Sequence, residues 1–130
     1  MYKRQVCDLN PFGPVALMAA YNESEDWVDE LCQYIKGNHD ALTAYVHDAL
    51  PQLKVMPMEG TYLAWVDVRA LGMTSDAVAE LLLSKGHVHV SSGTLYGSAG
   101  EGFIRINLAC RRALLMEGLE RIRKVMMSET

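Results

Sequence analysis

A long helical stripe ends at a proline and leaves one apolar face that must be covered. Val28, Leu31, Ile35, Leu42, Val46 and Ala49 recur at steps of three, four or seven. That spacing puts them on one side of a single helix. Ser24 stands where an N-cap belongs, Glu25 and Asp26 fall in the first turn, where the helix dipole favours anions, and Pro51 closes the run. At about 1.5 Å per residue this helix would be roughly 40 Å long. That is long for a chain of 130 residues, so Gly37 is a candidate bend or break.

The rest of the chain offers a small sheet as the covering layer. Asn10-Pro11-Phe12-Gly13-Pro14 is turn-rich, and a short helix over Val15–Tyr21 follows it. After Lys54–Met58 comes a turn at Glu59-Gly60 and a strand over Tyr62–Val68. Its two faces, Tyr62/Ala64/Val66/Val68 and Leu63/Trp65/Asp67, are both largely apolar, as in a strand covered on both sides. Thr74 can cap a third helix whose core residues are Ala77, Val78, Leu81 and Leu82, with Gly86 at the C′ position. His87–Ser91 reads as a short strand, Ser91–Gly102 as a loop with four glycines, and Phe103–Ala109 as a strand. A final helix carries Leu115, Leu119, Ile122 and Met126. The predicted class is α+β, a small antiparallel or mixed sheet of about three or four strands packed against helices and preceded by a long helix. No repeat or linker interrupts it.

Half of the chain is hydrophobic and 22% is charged, enough to bury a core. A net charge of −4 argues against a nucleic-acid partner, because neutralising phosphates needs a basic surface. No apolar run reaches the ~18 residues of a membrane span, and the opening residues lead into no signal-peptide core. Cys7, Cys32 and Cys110 are odd in number and widely spaced. They read as reduced thiols, and cytoplasmic location is the expectation. Met1-Tyr2-Lys3-Arg4-Gln5 resembles the translation of a transposase adapter used in DNA sequencing. Residues 1–9 are therefore expected to be a non-native or truncated lead-in.

The most informative segment is Phe103–Cys110. Ile104, Ile106, Leu108 and Cys110 make a core face, and Phe103, Arg105, Asn107 and Ala109 make the other. Arg105 and Asn107 thus point the same way, at the end of a glycine-rich loop. An arginine fork matches a carboxylate in two hydrogen bonds. Equally, these are the solvated positions of a half-covered strand. Gly97–Gly102 is not a phosphate cradle by order, since a strand rather than a helix follows it, and Glu101 would repel phosphate. The loop reads instead as a mobile lid or a plain connection. His87 and His89 share a strand face but have no visible third ligand, so no metal site is expected. His39 and His47, eight apart on the long helix, read as solvated. Trp27 and Trp65 read as core or domain-contact residues, and the eight methionines as core filler.

Three segments in order resemble the C-terminal part of class I/II aminotransferase-like enzymes of fold type I, above all the MalY/PatB-type cystathionine β-lyases (cysteine-S-conjugate β-lyases). They are Asn10-Pro11-Phe12-Gly13 with Ala20-Tyr21 and Trp27; Glu59–Asp67; and Gly93–Gly97 with Gly100–Cys110. The resemblance implies that residues 10–130 are a C-terminal small domain, and that Arg105 binds the α-carboxylate of an amino-acid substrate. It places Gly60 and Tyr62 in contact with substrate, with Asn107 and Tyr96 as further cleft residues. It implies pyridoxal 5′-phosphate as cofactor of the parent enzyme, with a Schiff-base lysine in a separate large domain, and a homodimer. The five lysines here lie in no such context, so no catalytic residue and no stable cofactor binding are expected within the chain. The implied activity is a C–S β-lyase that turns an amino-acid thioether into pyruvate, ammonia and thiol. An aminotransferase is one alternative, and a stand-alone, non-catalytic ligand- or partner-binding domain is another. Two positions depart from the family pattern, which often has Pro where Arg111 and Ser92 stand. Proline suits a first helical turn, so its loss at Arg111 is expected to be tolerated, while its loss at Ser92 is expected to loosen the loop.

Overall fold

The computed structural model describes residues 10–128, so the predicted lead-in at 1–9 lies outside the described residues. The chain divides into two compact units at Tyr34/Ile35. In the first, α1 spans Phe12–Glu23 and has no buried residue. It is longer than the predicted Val15–Tyr21. The side chain of Asn10 starts it, its Oδ1 accepting the amide of Phe12 at 2.9 Å. Phe12, Val15, Leu17, Met18 and Tyr21 are all exposed. Trp27 is 63% exposed and takes no part in the core.

Helix α2 runs over Glu25–Ala49, beginning directly after Ser24 as the acidic first turn predicts. It does not break at Gly37. The missing side chain there serves packing, because a Cβ would sit 2.9 Å from the Arg112 guanidinium. Of the predicted stripe, Ile35, Leu42 and Val46 are buried and Val28 is exposed.

In the second unit four strands follow: β1 (Lys54–Val55), β2 (Leu63–Asp67), β3 (Ser91–Ser92) and β4 (Phe103–Asn107). They form one sheet in the order β1-β2-β4-β3, every pair antiparallel. Helix α3 (Ser75–Gly86) precedes β3, and α4 (Arg112–Ser128) ends the unit. Ala64, Val66 and Ile104 on one sheet face join Leu42 and Val46 of α2, Val78 and Leu82 of α3, and Leu115, Leu119, Ile122 and Met126 of α4 in a single buried cluster. The final helix is therefore buried at the four positions its spacing predicts. In α3 the inward positions are Val78 and Leu82, whereas Ala77 is exposed.

Three local readings change. Strand β2 is buried on one face only; Leu63, Trp65 and Asp67 on the other are half-buried. The segment 87–90 is not a strand, and pairing begins at Ser91. Gly86 is the last residue of α3 rather than its left-handed cap. His87 takes that conformation at φ 52. Gly86 instead admits Val125, whose Cγ2 lies 3.1 Å from where a Cβ would stand. Thr74 caps α3 as expected, its hydroxyl accepting the amide of Ala77 at 3.2 Å.

Candidate functional site

Antiparallel register decides which side chains share the uncovered sheet face. Trp65 lies opposite Arg105, Asp67 opposite Phe103, Leu63 opposite Asn107 and Ser91 opposite Arg105. Directly paired residues project to the same side. This face therefore carries Arg105 at its centre, on an interior strand.

The arginine is held from two directions. Its Nη2 donates to Ser91 Oγ at 3.3 Å. Its Cζ sits 4.5 Å from the centroid of the Tyr96 ring. Tyr96 in turn meets Trp65 edge-on at 5.6 Å, and Trp65 meets Phe103 edge-on at 6.3 Å. Arg69 closes the row, 5.2 Å above Phe103. The two arginines at its ends differ in charge balance. Arg69 is bound through Nε and Nη2 to Asp67, at 3.0 to 2.6 Å. That hydrogen bonding holds the Asp67 carboxyl below its ordinary range. Arg105 is half-buried and has no carboxylate partner among the described residues. A cation–π contact occupies a guanidinium face and leaves the in-plane N–H groups directed outward, where a carboxylate can take two of them.

The other predicted site residues are placed differently. Asn107 shares the face, but its Oδ1 accepts the amide of Ala109 at 2.8 Å and so turns the chain out of β4. Gly60 and Tyr62 lie in the exposed turn before β2. Thr61 between them, rather than Gly60, adopts the left-handed backbone at φ 64. The Tyr62 carbonyl accepts the amide of Leu108 at 2.8 Å, tying this turn to the end of β4. Neither Gly60 nor Tyr62 has a hydrogen bond or ring contact to Arg105.

The glycine-rich segment joins β3 to β4 by a hydrogen-bonded path. Two short 3-10 turns, Gly93–Tyr96 and Ser98–Gly100, cross where a Cβ on Gly93 would run into the Gly100 carbonyl oxygen. The N-terminus of α3 ties them down. Ser75, fully buried, accepts the amides of Gly102 and Phe103 through Oγ at 2.7 and 3.1 Å. Glu101 accepts the Ser75 amide at 2.9 Å, so this carboxylate caps α3. Asp76 Oδ1 accepts both Ser92 Oγ at 2.5 Å and Thr94 Oγ1 at 2.7 Å. Those two hydrogen bonds, the Ser92 one foremost, hold the Asp76 carboxyl below its usual range. Ser92, expected to loosen the loop in place of proline, fastens it. The sequence reading missed Ser75 and Asp76, whose only local signal is their position behind the Thr74 cap.

A second clamp lies where β4 ends. Asn38, fully buried on α2, donates through Nδ2 to the carbonyls of Leu108 and Cys110 at 2.8 and 2.9 Å. Its Oδ1 accepts Arg112 Nε at 2.5 Å. Arg111, standing where the family often has proline, supplies the carbonyl that accepts the amides of Leu114 and Leu115 and so opens α4.

The described residues do not fit the pyridoxal phosphate that the resemblance implies. Lys36, Lys54, Lys85 and Lys124 are all exposed. Lys54, the lysine on the Arg105 face, stands opposite Asp67 on edge strand β1, two strands away from Arg105. The amides of Gly97, Gly100, Glu101, Gly102 and Phe103 are already donated within the chain and are not available to cradle a phosphate. No group of three or more His, Cys, Asp or Glu residues among the described residues could hold a metal. His87 and His89 instead border a cavity of about 440 Å³ between the 87–90 segment and α4, away from Arg105. No helix of the described residues is long and apolar enough to cross a membrane.

Known proteins share this sequence and geometry. The model of the aminotransferase class I and II family matches residues 3–122. The chain is 40% identical over 115 residues to cystathionine beta-lyase PatB of Bacillus subtilis, covering 88% of this chain and 30% of that protein. It is 35% identical over 104 residues to protein MalY of Escherichia coli, covering 80% and 27%. Among solved structures, cystalysin of Treponema denticola, which contains pyridoxal 5′-phosphate, superimposes with a TM-score of 0.90 at 32% identity over 95% of this chain and 31% of that one. A pyridoxal-phosphate-bound C–S lyase of Staphylococcus hominis gives 0.84 at 28% identity over 95% and 30%. The chain thus spans about 30% of the length of these relatives.

Proposed function

Because this chain belongs to the aminotransferase class I and II family, we propose that it forms the C-terminal small domain of a pyridoxal-phosphate C–S β-lyase and grips the α-carboxylate of the amino-acid substrate through Arg105. The observation that carries this reading is the half-buried guanidinium without a carboxylate of its own, stacked on Tyr96. The parent enzyme would convert an amino-acid thioether and water into pyruvate, ammonia and a thiol. The cofactor would be held by the rest of the parent, where it would supply an electron sink for this chemistry.

This chain's own part is orientation. A carboxylate on the Arg105 fork is fixed in one plane by two charge-assisted bonds. That plane sets which bond at the α-carbon faces the reacting centre, and such positioning contributes rate by pre-ordering the reactants. Tyr96 forms the floor beneath the guanidinium, and Gly60, Tyr62 and Asn107 are read as cleft residues on the family resemblance. The free thiols of Cys32 and Cys110 suit a reducing, cytoplasmic setting, and the parent is read as a homodimer on the family resemblance.

The test is steady-state kinetics of the intact enzyme. Arg105→Ala should raise KM for an amino-acid thioether about a hundredfold, the worth of two charge-assisted hydrogen bonds. Arg111→Ala, at an exposed position, should leave it unchanged. Equal effects of the two would remove Arg105 from its role. Pyruvate and thiol as products support the lyase reading. Amino transfer to a keto acid without pyruvate would replace it with an aminotransferase using the same carboxylate site.

A further inference from the structure

Both contacts that place the Arg105 guanidinium come from one short stretch, residues 91–96. Ser91 supplies the hydroxyl and Tyr96 the ring. Only two residues of this stretch pair with β4, and the remainder is 3-10 turn. Ladder bonds alone therefore leave Tyr96 at the end of an unpaired lever. What fixes the lever is Asp76, which takes the hydroxyls of Ser92 and Thr94 on a single oxygen. The two hydroxyl oxygens lie 2.8 Å apart, so the carboxylate gathers both donors at one point. Ser92 is adjacent to Ser91, and Thr94 precedes Tyr96 by two residues. A carboxylate acceptor makes these bonds short and directional. Asp76 itself cannot drift, because it lies in the first turn of α3, between the Thr74 cap and the buried Val78.

We propose that Asp76 is a positioning residue for Arg105, acting through Ser92 and Thr94 to set the Tyr96 ring beneath the guanidinium and Ser91 beside it. The proposal deepens, and rests on, the carboxylate reading of Arg105. Asp76 touches no substrate. Its effect is transmitted by a hydroxyl pair and an aromatic face.

The experiment uses this chain in solution, with propionate as the probe carboxylate and the Arg105 Nε–Hε resonance as the reporter. A ring beneath the guanidinium shifts that proton upfield, and Tyr96→Leu identifies the contribution by abolishing it. Asp76→Ala should lose most of the shift and weaken propionate binding roughly threefold to tenfold, as expected for a coupled residue without ligand contact. Asp76→Asn, which keeps an acceptor oxygen, should restore much of both. If Asp76→Ala unfolds, Thr94→Val serves instead. It removes one hydroxyl, leaves α3 intact, and should lose part of the shift. Retention of shift and affinity in the folded Asp76 or Thr94 variant overturns the proposal. Loss of the shift in a chain whose wild type never responds to propionate leaves Asp76 positioning Arg105, and instead sinks the carboxylate reading.

Discussion

Arg105 sits over the Tyr96 ring, its guanidinium carbon 4.5 Å from the centroid. The contact sits on a half-buried sheet face, where a cation–π pair contributes about 0.5–2 kcal/mol. Tyr96→Phe should therefore keep both the fold and the affinity of the intact enzyme for its substrate. Tyr96→Ala should raise KM several-fold and lower thermal stability, since it also removes the edge contact with Trp65. Steady-state kinetics beside a melting curve for each variant checks this; a Tyr96→Ala enzyme with unaltered KM contradicts it.

Asn38 joins three chain segments with one buried amide. Asn38→Ala should destabilise the chain by about 2–3 kcal/mol, because it removes a donor from the carbonyls of Leu108 and Cys110 and an acceptor from Arg112. Asn38→Leu, similar in size, should do no better, since bulk does not replace the lost donors. Urea denaturation measures the difference directly.

Two glycines should respond with opposite signs. Gly93→Ala drives a methyl into the Gly100 carbonyl oxygen, and backbone cannot step aside cheaply. A loss of about 3 kcal/mol is expected, near the upper end of overpacking costs. Gly118→Ala meets nothing within 4 Å inside α4, and should gain about 0.5–1 kcal/mol from reduced backbone entropy. Equilibrium unfolding of both variants beside the wild type decides.

Glu120 gives the acid side of the stability profile. Hydrogen bonds from Arg123 first, and then from Tyr45, lower its carboxyl from 4.5 to about 2. A carboxyl depressed on folding adds stability that is fully present above its unfolded value. That contribution is lost as pH falls from about 4.5 through about 2. The melting temperature should drop across that window, and Glu120→Gln should drop less there while being less stable at neutral pH. Parallel pH–melting curves for the two proteins would refute the assignment.

The final helix and the alternation of β4 were legible because period and burial coincide: Leu115, Leu119, Ile122 and Met126 face in, and Ile104 faces in while Arg105 faces out. The right class followed from those elements. His87–Ser91 was misread because Val88 and Val90 imitate a strand, whereas the left-handed turn at His87 delays pairing until Ser91. Gly37 looked like a bend or break and Gly86 like a C′ cap, but both are hollows, for Arg112 and Val125, contacts across roughly 40 to 75 residues of chain. Within the candidate site, Arg105 could be singled out by chemistry. Its support could not. Trp65, Ser75 and Asp76 act through partners fixed only by strand pairing and the path of the 91–103 segment.

The β2–β4–β3 register has a consequence for quality control. Arg105 belongs to an interior strand, so slipping β4 by one residue would carry its charge into the core and Ile104 out of it. A copy with the arginine misdirected cannot also be compact. The pairing that closes the core is the pairing that aims the guanidinium, and cellular surveillance for exposed apolar surface would thereby also remove copies with a misaimed site.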